Sequence, residues 1–143
     1  TRQNLPTLRK THTDENLCAK GGYEISPANG KAKVNLLATG SEVSLAVEAQ
    51  KMLQDQGIPT RVVSIPSFEL LAKQDAKTRE SILGDGVRIG VEAMVRFGWD
   101  QWLGPKGDFI GMKSFGASAP IKDLYKHFGI TADAIVAAAK AKL

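Results

Sequence analysis

Residues 36–43 read Leu36-Leu37-Ala38-Thr39-Gly40-Ser41-Glu42-Val43: an apolar run, a turn of small residues, then an acidic helix start. Five apolar or amide side chains, Val34 to Ala38, predict a strand buried on both faces, the pattern of a central strand in a parallel sheet. Beyond the turn, Leu45, Ala46, Ala49, Met52 and Leu53 recur at helical spacing and Gly57 supplies a stop, so a helix is predicted from Glu42 to Gln56. Ser41 is its expected N-cap and Glu42 sits in the first turn, where the helix dipole favours a negative charge.

Downstream the alternation continues. Strands are expected at Arg61 to Ile65, Val87 to Glu92 and Phe109 to Met112, with helical material at Phe68 to Leu83, whose Phe68, Leu70 and Leu71 are expected to pack on the sheet, near Trp99 to Leu103, at Ile121 to His127 and at Ala132 to Lys142. Upstream, Gly21-Gly22 breaks the chain before a short strand at Tyr23 to Ile25. The turn residues Pro27-Ala28-Asn29-Gly30 predict a hairpin that pairs this strand with Val34 to Ala38. Strands alternating with helices define an α/β class, here a three-layer α/β/α domain on a mixed, mostly parallel sheet with one antiparallel edge strand. Residues 1–20 carry Pro6 and no sustained period, apart from one helical turn near Glu15 to Ala19. They read as an extended connector, with the folded domain at 21–143.

At 143 residues, with 43% hydrophobic and 24% charged, one domain with one main core is expected. The net charge of +4 is spread among interleaved acids, which argues against a nucleic-acid surface. No apolar run reaches the roughly 20 residues that span a bilayer, so no membrane partner is expected. The opening Thr1-Arg2-Gln3-Asn4 has no initiator methionine and no signal-peptide pattern, as expected of a piece of a longer chain or of a processed one. A single cysteine, Cys18, points to a reducing compartment and excludes an internal disulfide.

Candidate chemistry is sparse. The corner Thr39, Gly40, Ser41 exposes main-chain N–H groups at a helix start and is a candidate small-anion site. It lacks the P-loop lysine and the dinucleotide glycine spacing, so an ordinary capped turn stays open beside that reading, and Glu42 would repel a phosphate. The turn Ser114 to Pro120 reads the same way, with Ser118 as N-cap and Pro120 in the first turn. Cys18 and His12 have no third group to orient them. His127 before Gly129 suits the negative end of a helix dipole, and Trp99 and Trp102, three apart, are expected to supply buried area more than ligand stacking. Arg2 presents the planar fork of donors that suits phosphate.

Four words stand in order along the chain: Arg2-Gln3-Asn4-Leu5, Gly21-Gly22-Tyr23, Ala38-Thr39-Gly40-Ser41-Glu42-Val43 and Phe115-Gly116-Ala117-Ser118-Ala119-Pro120. Together they resemble the C-terminal third of transketolases, from Thr1 to Leu143. The resemblance implies a five-stranded sheet with one antiparallel edge strand. It also implies a parent homodimer, cytoplasmic, that uses thiamine diphosphate and a divalent cation, magnesium or calcium, held by upstream domains. The parent transfers a two-carbon ketol unit from a ketose phosphate to an aldose phosphate in the pentose phosphate pathway. Arg2, matching the arginine of the family's serine-arginine-glutamine word, is implied to grip the substrate phosphate, with Thr1 where serine is usual. Packing and dimer support are the domain's implied roles, and the fragment alone is expected to be inactive. The alternative is a regulatory, small-anion-binding domain of a related thiamine diphosphate enzyme.

Overall fold

The computed structural model describes residues 4–10 and 12–143. A 3-10 turn at Leu17–Lys20 leads into strand β1 (Tyr23–Ser26), and then come β2 (Val34–Ala38), helix α1 (Val43–Asp55), β3 (Thr60–Ser64), α2 (Phe68–Ala72) and α3 (Ala76–Leu83). Strand β4 (Val87–Val95), α4 (Asp100–Leu103), β5 (Asp108–Met112), α5 (Ile121–Phe128) and α6 (Ala132–Ala141) complete the chain. The five strands form one sheet in the order β1-β3-β2-β4-β5, with β1 antiparallel and the others parallel.

Every residue of β2 is buried, as its apolar run predicted. The two-residue period of a strand sorts its side chains between two cores. Val34, Leu36 and Ala38 pack with Val62, Ile89 and Val91 beneath α1 and α6. On the opposite face Leu37, Val63 and Ile65 meet Leu71 of α2, Leu83 of α3, Trp102 and Leu103 of α4, and Trp99 just before α4. These are the three expected layers.

The predicted hairpin does not form. β1 is the antiparallel edge strand, but it pairs with β3, Tyr23 opposite Ser64, while β2 lies between β3 and β4. The physical reason is that a fully apolar strand gains most where both its edges and both its faces are covered, which the centre of the sheet provides. The stretch between β1 and β2 therefore crosses beside the amino-terminal end of β3. Lys33 N donates to Pro59 O at 2.9 Å, and buried Gln50 on α1 donates to Ser26 O, Pro27 O and Thr60 O at 3.2, 3.0 and 2.9 Å.

Three local expectations also change. The helical stretch 68–83 is two helices, because Asp75 Oδ1 accepts from Thr78 N at 2.9 Å and caps a new start. Of the residues expected to pack on the sheet, Leu71 is buried and Leu70 is exposed. At α5 the residue before the helix is Pro120, with no side-chain cap, so Ser118 is not the N-cap.

Gly21 explains the break before β1. Its φ is +84°, and a Cβ there would lie 2.2 Å from Leu71 N and 2.4 Å from Ser67 O, so no side chain fits.

Candidate functional site at the carboxyl edge of the sheet

In an open parallel sheet, loops that can hold ligands gather beyond the carboxyl ends of the strands. Here that edge carries the corner after β2, the β4–α4 loop and the β5–α5 loop.

The corner is built tighter than a capped helix. Thr39 is extended, Gly40 has φ +57°, and Gly40–Glu42 form a 3-10 turn in which Glu42 N donates to Thr39 O at 3.3 Å. Ser41 does not cap α1. Its hydroxyl donates to Glu42 Oε1 at 2.7 Å, and Ser44 Oγ donates back to Ser41 O at 2.9 Å.

Glu42, expected as a charge in the helix's first turn, is 4% exposed. Burying a carboxylate is costly unless it is hydrogen-bonded, and three donors from three elements meet it. Besides Ser41, the Tyr125 hydroxyl of α5 donates to Oε1, and Ala93 N of β4 donates to Oε2 at 3.2 Å. Ala93 has that N–H to give because the β4–β5 register slips between Val91 and Val95, taking residues 92–94 out of the regular ladder. Burial, then the hydrogen bond to Glu42, pushes the Tyr125 phenol up to about 12.

The amino-terminal segment lies along this corner. Asn4, Leu5 and Pro6 share a groove of about 190 Å³ with Ser41, Ser44 and Tyr125. Leu8 and Arg9 share a second, of about 260 Å³, with Gly40, Ser41, Ser44 and Ser64. Gly40 and Ser41 thus share these grooves with two cations, Arg9 and Lys122, and stand beside one buried anion, Glu42, whose carboxylate already accepts the Ser41 hydroxyl hydrogen bond. Arg2 lies outside the described residues.

The other candidates are placed apart from this edge or in the core. His12 Nε2 is 2.9 Å from Asp14 Oδ1 in an exposed pair, and Cys18 is exposed in the 3-10 turn. His127 is in the last turn of α5, before the left-handed Gly129. Trp99 and Trp102 are buried. Phe68 meets Trp99 edge-on at 5.1 Å between centroids and stacks on Trp102 at 5.7 Å, and Trp99 Nε1 donates to Glu92 Oε2 at 2.8 Å.

Sequence reasoning missed Glu42, Tyr125 and Gln50. Gln50 left a readable signal, an amide in the apolar stripe between Ala46 and Leu53; the pairing of Glu42 with Tyr125, 83 residues on, left none.

Fold and corner together define a three-layer α/β domain whose carboxyl-edge loops are knitted around one buried carboxylate and crossed by an extended amino-terminal segment. Residues 21–131 match the transketolase-like TK C-terminal domain family, and the chain belongs to it. It is 52% identical over 139 residues to a transketolase of Sinorhizobium medicae, covering 96% of this chain and 20% of that protein. A transketolase of Cereibacter sphaeroides is 52% identical over 142 residues, covering 99% and 22%. Among solved structures, a Pichia stipitis transketolase in complex with sedoheptulose 7-phosphate superposes with a TM-score of 0.85 at 38% identity, covering 99% of this chain and 20% of that one. The chain thus spans about a fifth of the length of these relatives.

Proposed function

We infer that this chain serves as the C-terminal domain of a full-length transketolase that moves a two-carbon ketol unit from a ketose phosphate to an aldose phosphate. The observation that carries the reading is the family match over residues 21–131, set on the five-stranded mixed sheet. The sugar-phosphate complex of the Pichia relative supports the substrate class. Residues 1–20 are the connector from the preceding domain, and 21–143 the folded unit. Packing on the upstream domains and support of a homodimer are its structural tasks, and the cytoplasm is its compartment. Among the described residues no helix is long and apolar enough to cross a membrane.

Thiamine diphosphate and its divalent cation belong to the upstream domains of the parent. Among the described residues no three His, Cys, Asp or Glu side chains are grouped to hold a cation. No catalytic step is assigned to this domain. The chain alone, supplied with thiamine diphosphate and magnesium, is expected to show no ketol transfer; turnover would refute that.

The residue this domain lends to substrate is Arg2, as an anchor for the remote phosphate that holds the reacting carbon in place. Replacing it with alanine in the full-length enzyme should lower kcat/KM for phosphorylated donors by about 1.5–3 kcal/mol, the worth of a charged hydrogen bond. An equal loss for unphosphorylated donors would make Arg2 structural instead.

A second reading, an effector-anion site at Thr39, Gly40 and Ser41, draws on Arg9 and the hydroxyls of Ser41, Ser44 and Ser64 around one groove. The buried Glu42 charge weighs against it. Phosphate titration that leaves the Gly40 and Ser41 amide resonances unmoved would dismiss it.

A further inference from the structure

Large apolar side chains are exposed unevenly over this chain. Among the described residues there are seven, and four of them, Met94, Val95, Phe97 and Phe115, stand where β4 and β5 end. Scattered singly they would need no explanation; gathered at one edge they mark a contact surface. Phe97 is 86% and Phe115 98% exposed, two and three residues beyond the last pair of the β4–β5 ladder, Val95 opposite Met112. Neither phenyl ring belongs to either core of the domain.

Phe97 borders a cavity of about 300 Å³ that Phe68, Met94, Trp99 and Trp102 also line. Between exposed Phe97 and buried Trp99, Gly98 takes φ +87°, a turn that glycine makes freely. Glu92 is the one ionisable residue in the lining, and its Oε2 accepts from Trp99 Nε1 at 2.8 Å. Arg96, next to Phe97, is paired with Asp100 at 2.7 Å and with Asp108 at 3.4 Å. The complement of this face is an apolar protein surface, since a nucleic acid or an anionic membrane is met by clusters of basic residues.

The place of the face selects the protein. Asn4, Leu5 and Pro6 line a groove with Ile121 and Tyr125, and those two line the cavity that Ala93 and Met112 share with Gly116 and Ala117. The amino-terminal segment thus runs along the edge that carries the exposed rings, and what precedes it in a full-length enzyme is delivered there. This chain is about a fifth of the length of its relatives, so the preceding part is large. A tethered neighbour acts at an effective concentration on the order of mM, which favours it over a separate copy of this chain.

We propose that Met94, Val95, Phe97 and Phe115 form the docking surface for the domain that precedes this one in the full-length enzyme, with an apolar side chain of that domain seated in the cavity beside Phe97. The proposal rests on the reading of this chain as a C-terminal domain and names the surface by which it packs.

The test replaces Phe97, and separately Phe115, with the photoreactive p-benzoylphenylalanine in the full-length enzyme, and mass spectrometry locates the residue captured on irradiation. Capture of a residue upstream of Thr1 is expected from both positions. Capture within a second copy of residues 1–143 would make the face a self-contact, and capture of no protein would leave it facing solvent; either result overturns the proposal. Ketol transfer by the unmodified enzyme is measured in parallel. If transfer is absent while capture lands upstream of Thr1, the docking surface stands and the transketolase reading falls. If the labelled enzymes do not fold, deuterium exchange of the unmodified enzyme decides. Amides of residues 94–98 and 113–117 should then exchange about tenfold more slowly in the full-length enzyme than in this chain alone, and equal rates overturn the proposal.

Discussion

The side-chain amide of Gln50 donates to the main-chain oxygen of Thr60 at 2.9 Å, tying the middle of α1 to the first residue of β3 in a site closed to water. The same nitrogen reaches Pro27 O at 3.0 Å and Ser26 O at 3.2 Å, so it also pins the crossing from β1 toward β2. Replacement by leucine keeps the volume and strands these acceptors without a donor. Gln50→Leu should therefore cost about 1–3 kcal/mol, read as a lower urea midpoint with an unchanged m-value. A midpoint equal to the parent's would show that the crossing is held by its other contacts.

Gly21 and Gly57 share a positive φ, +84° and +74°, but only Gly21 is crowded by other backbone. Gly57→Ala should cost about 1–2 kcal/mol, the penalty of the left-handed conformation alone. Gly21→Ala adds a clash with Leu71 N and Ser67 O that needs the α2 start to move, and should cost about 3 kcal/mol or more. Thermal melts of the two variants side by side check the order; equal shifts in Tm would mean that the α2 start yields freely.

Tyr125 ties stability to alkaline pH. Its phenol is raised from 10.0 to about 12 in the folded chain, by burial first and by the Glu42 hydrogen bond second. The folded state thus favours the protonated form. The stabilisation is complete below pH 10, the unfolded value, and is lost as pH rises through about 12. Absorbance near 295 nm should show one component with a midpoint near 12 that vanishes in Tyr125→Phe, and that variant should lose less stability than the parent between pH 10 and 12. A parent titration without that late component would break the assignment.

Arg88 works as a fork. Nε donates to Gly84 O at 3.0 Å, one terminal nitrogen to Trp102 O at 3.1 Å, and the other to Glu80. It thereby closes the carboxyl ends of α3 and α4 over the start of β4. Lysine keeps the charge and loses the planar fork, so Arg88→Lys should destabilise by about 1–2 kcal/mol. Chemical denaturation followed by tryptophan fluorescence checks this, since Trp99 and Trp102 report on the same core.

The central strand, the helix after it, both tryptophans and the α/β alternation were all legible, because each is written in residues close together in the chain. Val34 to Ala38 carries its own burial, and Leu45 to Leu53 its own period. The hairpin expectation failed on a matter that local signals do not encode. Pro27 to Gly30 specify a change of direction, but which strand then lies beside β1 depends on where β2 gains most, and that is set by strands further along the chain.

The candidate site divides along the same line. By itself the sequence determined the fold class, the family through its ordered words, and that a tight turn of small residues at Thr39 to Ser41 joins β2 to α1, since short spacings and residue types suffice for these. Only the tertiary structure decided that Glu42 is buried, that Tyr125 and Ala93 reach it, and that Asn4 to Pro6 lie against the same corner. The bonds from Ala93 and Tyr125 to Glu42 join positions 51 and 83 residues apart. Neither partner's local pattern changes when they meet, so the carboxylate's burial follows from the packing of α5 and the slipped register of β4, not from any feature of the residues beside Glu42.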